Sequence, residues 1–342
     1  MQYHLLGNTG VFVSRLCLGT MTFGGRDTPP YDQVGGLDLP QVQAITDAAL
    51  DAGINFVDTA DVYSAGEAER LVGQAIKSRR HDLVLATKFH APMGTAPNRG
   101  GQSRLYMMRA LEDSLKRLQT DYIDLYQIHN FDPLTPFDEV LRSLDDAVRQ
   151  GKVRYIGCSN LAAWQVMKAL GVSERRGLER FSSVQAYYSL AGRDLEHELL
   201  PMIEDQRLGL MVWSPLAAGF LSGKYDRHSE KGASRRDKFE FPPIDREKAF
   251  DIIDTLRTIA ERHAATPAQV ALAWLLAKPA VTSVIVGAKR ADQLQDNLGA
   301  LKLKLSTQDI AELDEVSATG PHYPSWLQAH TLEARIPKEL GG

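Results

Sequence analysis

The sequence predicts an α/β fold, a (β/α)8 TIM barrel with an N-terminal β-hairpin and extra C-terminal helices, as a single domain over residues 1–342. Three observations predict it. Eight short apolar runs rich in β-branched and aromatic residues recur along the chain, as strands buried on both faces would. A segment of helical period follows each run, the βα alternation of a parallel sheet. Polar residues collect at the ends of the runs, where a barrel of this kind carries its chemistry. An open doubly wound sheet is the alternative architecture. No internal repeat, low-complexity segment or linker divides the chain.

Each element follows from local chemistry. Runs 3–6 and 11–14 flank Gly7-Asn8-Thr9-Gly10 and read as a hairpin. The first barrel strand is 15–20, and its helix, 40–52, stops at Gly53 as a C-cap. Strand 54–57 precedes a helix over 66–79, and strand 83–87 a helix over 103–118. In the latter, Leu105, Met108, Leu111, Leu115 and Leu118 recur at helical spacing as the face packed on the sheet. Strand 122–128 leads to helix 137–150, ended by Gly151; strand 153–158 to helix 161–170; strand 182–187 to helix 194–206. After strand 209–213 comes a polar stretch to about residue 245, then helices 246–264 and 267–277. Strand 282–286 is followed by helix 291–300 and an extra helix over 307–316. The Pro-containing, polar tail from Thr319 reads as irregular.

Composition excludes several classes. The chain is 44% hydrophobic and 24% charged, which is ordinary globular usage, and its net charge of −4 offers no broad basic surface to nucleic acid or an acidic membrane. Lys231, Arg235, Arg236 and Lys238 read as a solvated loop. Cys17 and Cys158 are too few for a disulfide framework and too dispersed for a metal site. Both lie in apolar runs, as reduced packing residues of a cytoplasmic protein. Residues 1–7 lack the regions of a signal peptide, and no apolar stretch approaches the ~20 residues of a membrane span.

Asp58, Tyr63, Lys88 and His129 sit at or just beyond the ends of three successive strands, so the topology gathers a carboxylate, a phenol, an ammonium and an imidazole on one face. Lys88 closes an apolar strand, and a desolvated ammonium there calls for a carboxylate, which Asp58 supplies one strand earlier. The five-residue step to Tyr63 lets its phenol fold back over Lys88, whose charge is expected to lower the phenol's pKa and make it a proton donor. His129 can orient a substrate carbonyl. Ser159, Asn160 and Gln185, at later strand ends, offer the donors and acceptors a carboxamide needs, and Trp213 a flat face for an aromatic ring. Neither GxGxxG between strand and helix nor GxxxxGK[ST] is present, so a nucleotide would bind otherwise. Gly223-Lys224, and Gly287-Ala288-Lys289-Arg290 leading into a helix, stand where barrels hold phosphate. For every one of these residues, packing, capping or surface charge is the competing reading.

The residues resemble those of the aldo-keto reductase superfamily from about Tyr3 to about Leu313. The matching stretches are Leu18-Gly19-Thr20-Met21-Thr22-Phe23-Gly24, Phe56-Val57-Asp58-Thr59-Ala60 with Tyr63, Ala86-Thr87-Lys88 and Asp124-Leu125-Tyr126-Gln127-Ile128-His129. Further on come Ile156-Gly157-Cys158-Ser159-Asn160, Val184-Gln185, Trp213-Ser214-Pro215-Leu216 and Val284-Ile285-Val286-Gly287-Ala288 with Gln293 and Asn297; the family often carries Pro where this chain has Val286. Each fragment is weak alone; their order and strand positions together are specific. The resemblance implies NADPH-dependent reduction of aldehyde, ketone or sugar carbonyls without a metal. It implies Tyr63 as proton donor, Lys88 and Asp58 lowering its pKa, and His129 orienting the carbonyl. It further implies NADP(H) contacts from Thr20 and Met21, from Ser159, Asn160, Gln185 and Trp213 at the nicotinamide, and from a loop over 214–224 (Ser214, Pro215, Leu216, Ala217 and Lys224) at the pyrophosphate. Gly287, Lys289, Gln293, Asp296 and Asn297 match positions around the adenosine phosphate and adenine.

Potassium-channel β-subunits, a close branch that shares the Trp-Ser-Pro-Leu run, offer a second reading as a cofactor-binding regulatory subunit. That branch replaces the histidine, so His129 favours an active reductase. A Schiff-base aldolase using Lys88 is a third reading, against which a paired Asp58 argues.

Overall fold

A computed structural model describes residues 1–227 and 240–335; the basic run at Lys231, Arg235, Arg236 and Lys238 lies outside the described residues. The hairpin forms as β1 (Tyr3–Leu5) and β2 (Phe12–Ser14), paired antiparallel through Tyr3–Ser14 and Leu5–Phe12. Leu6 and Val13 from it join the apolar cluster inside the barrel.

The barrel strands are β3 (Leu16–Gly19), β4 (Phe56–Asp58), β5 (Val84–Phe89), β6 (Ile123–Ile128), β7 (Val153–Ser159), β8 (Phe181–Tyr187), β9 (Gly209–Trp213) and β10 (Val281–Val286). Each lies parallel to the next, and β10 returns to β3 through Val284–Leu16, Ile285–Cys17 and Val286–Leu18, closing the barrel. Closure leaves no strand edge unpaired.

The period of two along a strand sorts the side chains. Cys17, Phe56, Ala86, Leu125, Met211 and Ile285 fill the lumen, while Leu18, Val57, Leu85, Tyr126, Val184 and Val212 face the helices in the outer layer. Two residues beyond Phe56, Ala86, Leu125 and Met211 come Asp58, Lys88, Gln127 and Trp213 on the same inner face. A polar layer is therefore stacked directly above an apolar one, toward the carboxyl ends of the strands.

The helices are α1 (Tyr31–Val34), α2 (Leu39–Asp51), α3 (Glu67–Ala75), α4 (Arg104–Leu118), α5 (Phe137–Arg149), α6 (Ala163–Arg176), α7 (Leu199–Gln206), α8 (Arg246–Arg262), α9 (Pro267–Leu276), α10 (Ala291–Gly299), α11 (Thr307–Val316) and α12 (Ser325–Arg335). Capping boxes start three of them: Asp38 with Gln41 at α2, Thr266 with Gln269 at α9 and Ser306 with Asp309 at α11. Among the described residues, no helix is long and apolar enough to cross a membrane.

Several sequence expectations are corrected. The helix read over 66–79 ends at Ala75, and a 3-10 segment, Lys77–Asp82, continues it. The stripe assigned to α4 holds at Leu111, Leu115 and Leu118, which are buried, and at Met108, half-buried against the core, but not at Leu105, which is exposed while Tyr106 and Met107 are buried. One position of helical phase is ambiguous where an apolar face is crowded at its edge. Helix α6 runs six residues past the expected 170, with Gly177 in the left-handed region as its natural stop. The tail is not irregular throughout, because Pro324 precedes an uninterrupted run that forms α12. Strand β5 continues to Phe89, so Lys88 lies inside the strand rather than beyond it.

Helices α3 and α4 meet at Gly73, where an added Cβ would lie 2.5 Å from the Leu118 carbonyl oxygen. Ala is ordinarily better than Gly in a helix by about 1 kcal/mol. Here the clash with helix backbone costs roughly 1–3 kcal/mol. Gly73→Ala is therefore expected to lower the thermal midpoint, and a higher midpoint in a melting curve would show that the helices can part.

Candidate active site

All three hydrogens of the Lys88 ammonium are engaged. They reach Asp58 Oδ2 at 2.6 Å, the Thr59 carbonyl at 2.8 Å and the Tyr63 phenol oxygen at 3.4 Å. Lys88 is fully buried and Asp58 nearly so. The other carboxylate oxygen, Asp58 Oδ1, accepts from Gln185 Nε2 at 2.9 Å and Gln127 Nε2 at 3.2 Å. The ion pair is thus fully hydrogen-bonded, the condition for two charges to remain ionised out of water. The sequence places Gln127 in one of the stretches that carry the resemblance but assigns it no role. Its signal was the same period of two that selects Lys88 on the neighbouring strand, with which it is in register.

Tyr63 arrives from the loop after β4. Thr59 N–H donates to the Ala86 carbonyl and Asp61 N–H to the Lys88 carbonyl, so the loop follows β5 for one more step. Tyr63 N–H then closes a turn on the Ala60 carbonyl, and Ser64 and Ala65 take left-handed backbone conformations at φ 51° and 53°. Such strain in non-glycine residues is concentrated where a scaffold must aim a side chain. Because the Tyr63 oxygen accepts from Lys88, its own hydrogen remains available to the pocket.

The electrostatics correct one expectation. Burial pushes the Tyr63 phenol above its ordinary value, Lys88 pulls it down, and Asp58 pushes it up again, leaving it raised rather than lowered. Burial outweighs the pull of Lys88, which Asp58 offsets only in part. For Lys88, burial disfavours the ammonium, but Asp58 and Tyr63 outweigh it and hold the group protonated. Burial, then Lys88 and His90, press His129 well below its usual value, so its imidazole is neutral. The His129 ring meets Tyr63 edge-on at 5.9 Å, and its Nδ1 is buried without a partner. Tyr31, 6.3 Å from Tyr63 ring to ring, forms a wall the sequence reading did not identify.

The residues that the resemblance matches to nicotinamide contacts come to the same mouth. Ser159 Oγ is buried with no hydrogen-bond partner, while Asn160 donates to the His129 carbonyl and accepts from Trp213 Nε1, each at 3.0 Å. Gln185 gives its Nε2 to Asp58 and keeps Oε1 as an acceptor. The Trp213 ring lies parallel to Phe241 at 5.5 Å and tilted to Tyr187 at 5.0 Å. Thr20 donates to the Asp58 carbonyl, and Met21 beside it is half-buried. An orphaned hydroxyl and a free amide oxygen at the floor of the mouth fit a carboxamide.

The residues that the resemblance matches to phosphate and adenosine contacts lie on two further loops. Ser214, Ala217, Ala218 and Gly219 all have positive φ, and the Ala218 N–H is turned onto Ser214 Oγ. Pro215 and Ala217 are buried, Leu216 is half-buried, and a Cβ at Gly219 would lie 3.6 Å from Lys224 Nζ. Gly287 faces open space, and Lys289 N–H donates to Gln293 Oε1 at 2.9 Å. Asn297 is buried on α10. Asp296 accepts from Thr266 and Gln269, the cap of α9, so its carboxylate is engaged in joining helices.

Comparison with known proteins agrees with this arrangement. The model of the aldo/keto reductase family matches residues 15–318. The uncharacterized oxidoreductase YrpG of Bacillus subtilis is 40% identical over 92% of this chain and 96% of its own. Versiconal hemiacetal acetate reductase of Aspergillus parasiticus is 34% identical, covering 92% and 96%. A probable voltage-gated potassium channel subunit beta of Arabidopsis thaliana is 34% identical, covering 95% and 99%.

Proposed function

The chain belongs to the aldo/keto reductase family of oxidoreductases, and from that premise we propose that it is an NADPH-dependent reductase of aldehyde, ketone or sugar carbonyls. The observation that carries the proposal is the Lys88 ammonium donating to the Tyr63 oxygen, which leaves the phenol hydrogen for a substrate. Tyr63 gives that proton to the carbonyl oxygen, and the ammonium behind it stabilises the phenolate left behind. Neutral His129 carries one ring N–H with which to hold the same oxygen. When bound, the nicotinamide supplies the hydride to the carbonyl carbon. Ser159, Asn160, Gln185 Oε1 and Trp213 would hold its ring and carboxamide, with Thr20 and Met21 beside them. Ser214, Pro215, Leu216, Ala217 and Lys224 would cover the pyrophosphate. Gly287, Lys289, Gln293, Asp296 and Asn297 would take the adenosine end.

Two measurements test this. Purified protein should oxidise NADPH in the presence of some member of a panel of aldehydes, ketones and aldoses; inactivity across the panel with intact NADPH binding would favour a regulatory subunit. Titration of NADPH and NADH, followed by tryptophan fluorescence, should show Lys289→Ala weakening NADPH roughly 10–100-fold, the worth of a charged hydrogen bond, with NADH little changed. Equal losses for both would remove the 2′-phosphate role. The Schiff-base reading requires a neutral amine at Lys88, and the ion pair opposes it.

A further inference from the structure

We propose that Asp61 is a positioning residue for Tyr63 that works only as a neutral carboxylic acid, an inference that rests on the reductase reading. Asp61 lies midway along the loop that delivers Tyr63. Its N–H holds the carbonyl of Lys88, the residue whose ammonium meets the phenol. Its side chain is fully buried, near Glu69 on α3, Tyr106 and Arg117 on α4 and Tyr126 on β6, with Tyr63 and Tyr31 on the pocket side.

The hydrogen bonds say which acid is ionised. Glu69 receives Thr87 Oγ1 on one oxygen and Arg117 Nε on the other, both at 2.6 Å, so it carries the charge. Asp61 has the Val62 N–H and the Tyr106 hydroxyl at a long 3.4 Å, and its Oδ1 is buried with no partner. The charges around Tyr63 already cancel in pairs, Asp58 with Lys88 and Glu69 with Arg117. An Asp61 anion would be a fifth charge without a cation, which burial forbids at ordinary pH. Burial and Glu69 together push it up to about 8.

Ionising Asp61 would put an uncompensated negative charge two residues from Tyr63, raising the phenol further and straining the loop against Glu69. In wild-type protein, kcat/KM for NADPH-driven reduction of 4-nitrobenzaldehyde should fall about tenfold per pH unit above about 8. In Asp61→Asn, neutral at every pH, that limb should vanish. The same limb in the variant overturns the proposal.

Stability gives a second readout. A carboxyl raised on folding makes the protein less stable as pH rises from the ordinary carboxylate range to the folded value, with no further change above it. The thermal midpoint of Asp61→Asn minus that of wild type should therefore widen between about pH 4 and 8 and then level off. A constant difference overturns the proposal even if both proteins reduce carbonyls. Absence of turnover by either protein overturns the reductase reading even if the difference widens. Should Asp61→Asn not fold, the infrared carbonyl band of a protonated acid in wild type must disappear near pH 8; its absence at about pH 6 overturns the proposal.

Discussion

Tyr63→Phe is expected to lower kcat by roughly 10²–10⁴-fold, the range in which a positioned proton donor acts, with NADPH affinity nearly unchanged. The substitution replaces the phenol hydroxyl by hydrogen, a net loss of one oxygen. Its only hydrogen-bond consequence within the network is the loss of a long 3.4 Å contact from Lys88, which keeps Asp58 and the Thr59 carbonyl. The ring remains to face Tyr31 and to meet His129 edge-on. Folding should therefore be little affected, and the loss should fall on the chemical step. Single-turnover rates with saturating NADPH would isolate that step, and a wild-type rate would mean the proton comes from elsewhere. Because burial holds the phenol above its ordinary value, Tyr63 remains a proton carrier at neutral pH. Its ionisation would not account for the loss of turnover expected in mild alkali.

The parts legible in the sequence were those set by strand period and topology. Asp58, Lys88 and His129 could be placed because each ends or closely follows an apolar run, and a parallel barrel brings such positions together. Tyr63 needed only a loop length. The Asp58–Lys88 pairing followed from the cost of a lone buried ammonium, and the structure has it at 2.6 Å.

What sequence did not disclose was competition between effects of similar size. Lys88 does pull the phenol down, but whether burial outweighs it depends on how completely the loop covers the ring and how well Asp58 quenches the ammonium. Gln127 was visible in position but not in role, since nothing in one chain says an amide turns toward a carboxylate on a strand two places away. Asp61, Glu69 and Arg117 carry no joint signal in the sequence, because three residues from separate elements share a buried space only once the helices pack. Leu105 and Tyr106 differ by one position of helical phase, which the apolar pattern alone resolves poorly.

Lys88→Met should destabilise the fold by about 3–5 kcal/mol, the usual consequence of removing one partner from a buried ion pair. Asp58 would be left with only the Gln127 and Gln185 amides and no cation to offset it, and the Thr59 carbonyl would lose its donor. The variant should also lose most turnover, because the phenolate formed at Tyr63 would have no counter-charge. A second substitution separates these effects. Adding Asp58→Asn to Lys88→Met removes the orphaned anion, so the double variant should recover much of the lost stability, the coupling expected of groups in direct contact. It should recover none of the activity, because the cation behind the phenol is still missing. Urea unfolding midpoints and NADPH-driven carbonyl reduction, measured on both single variants and the double, make the comparison. If stability and turnover returned together, the pair would be acting only as a brace for the barrel mouth, and Tyr63 would need another source of electrostatic support.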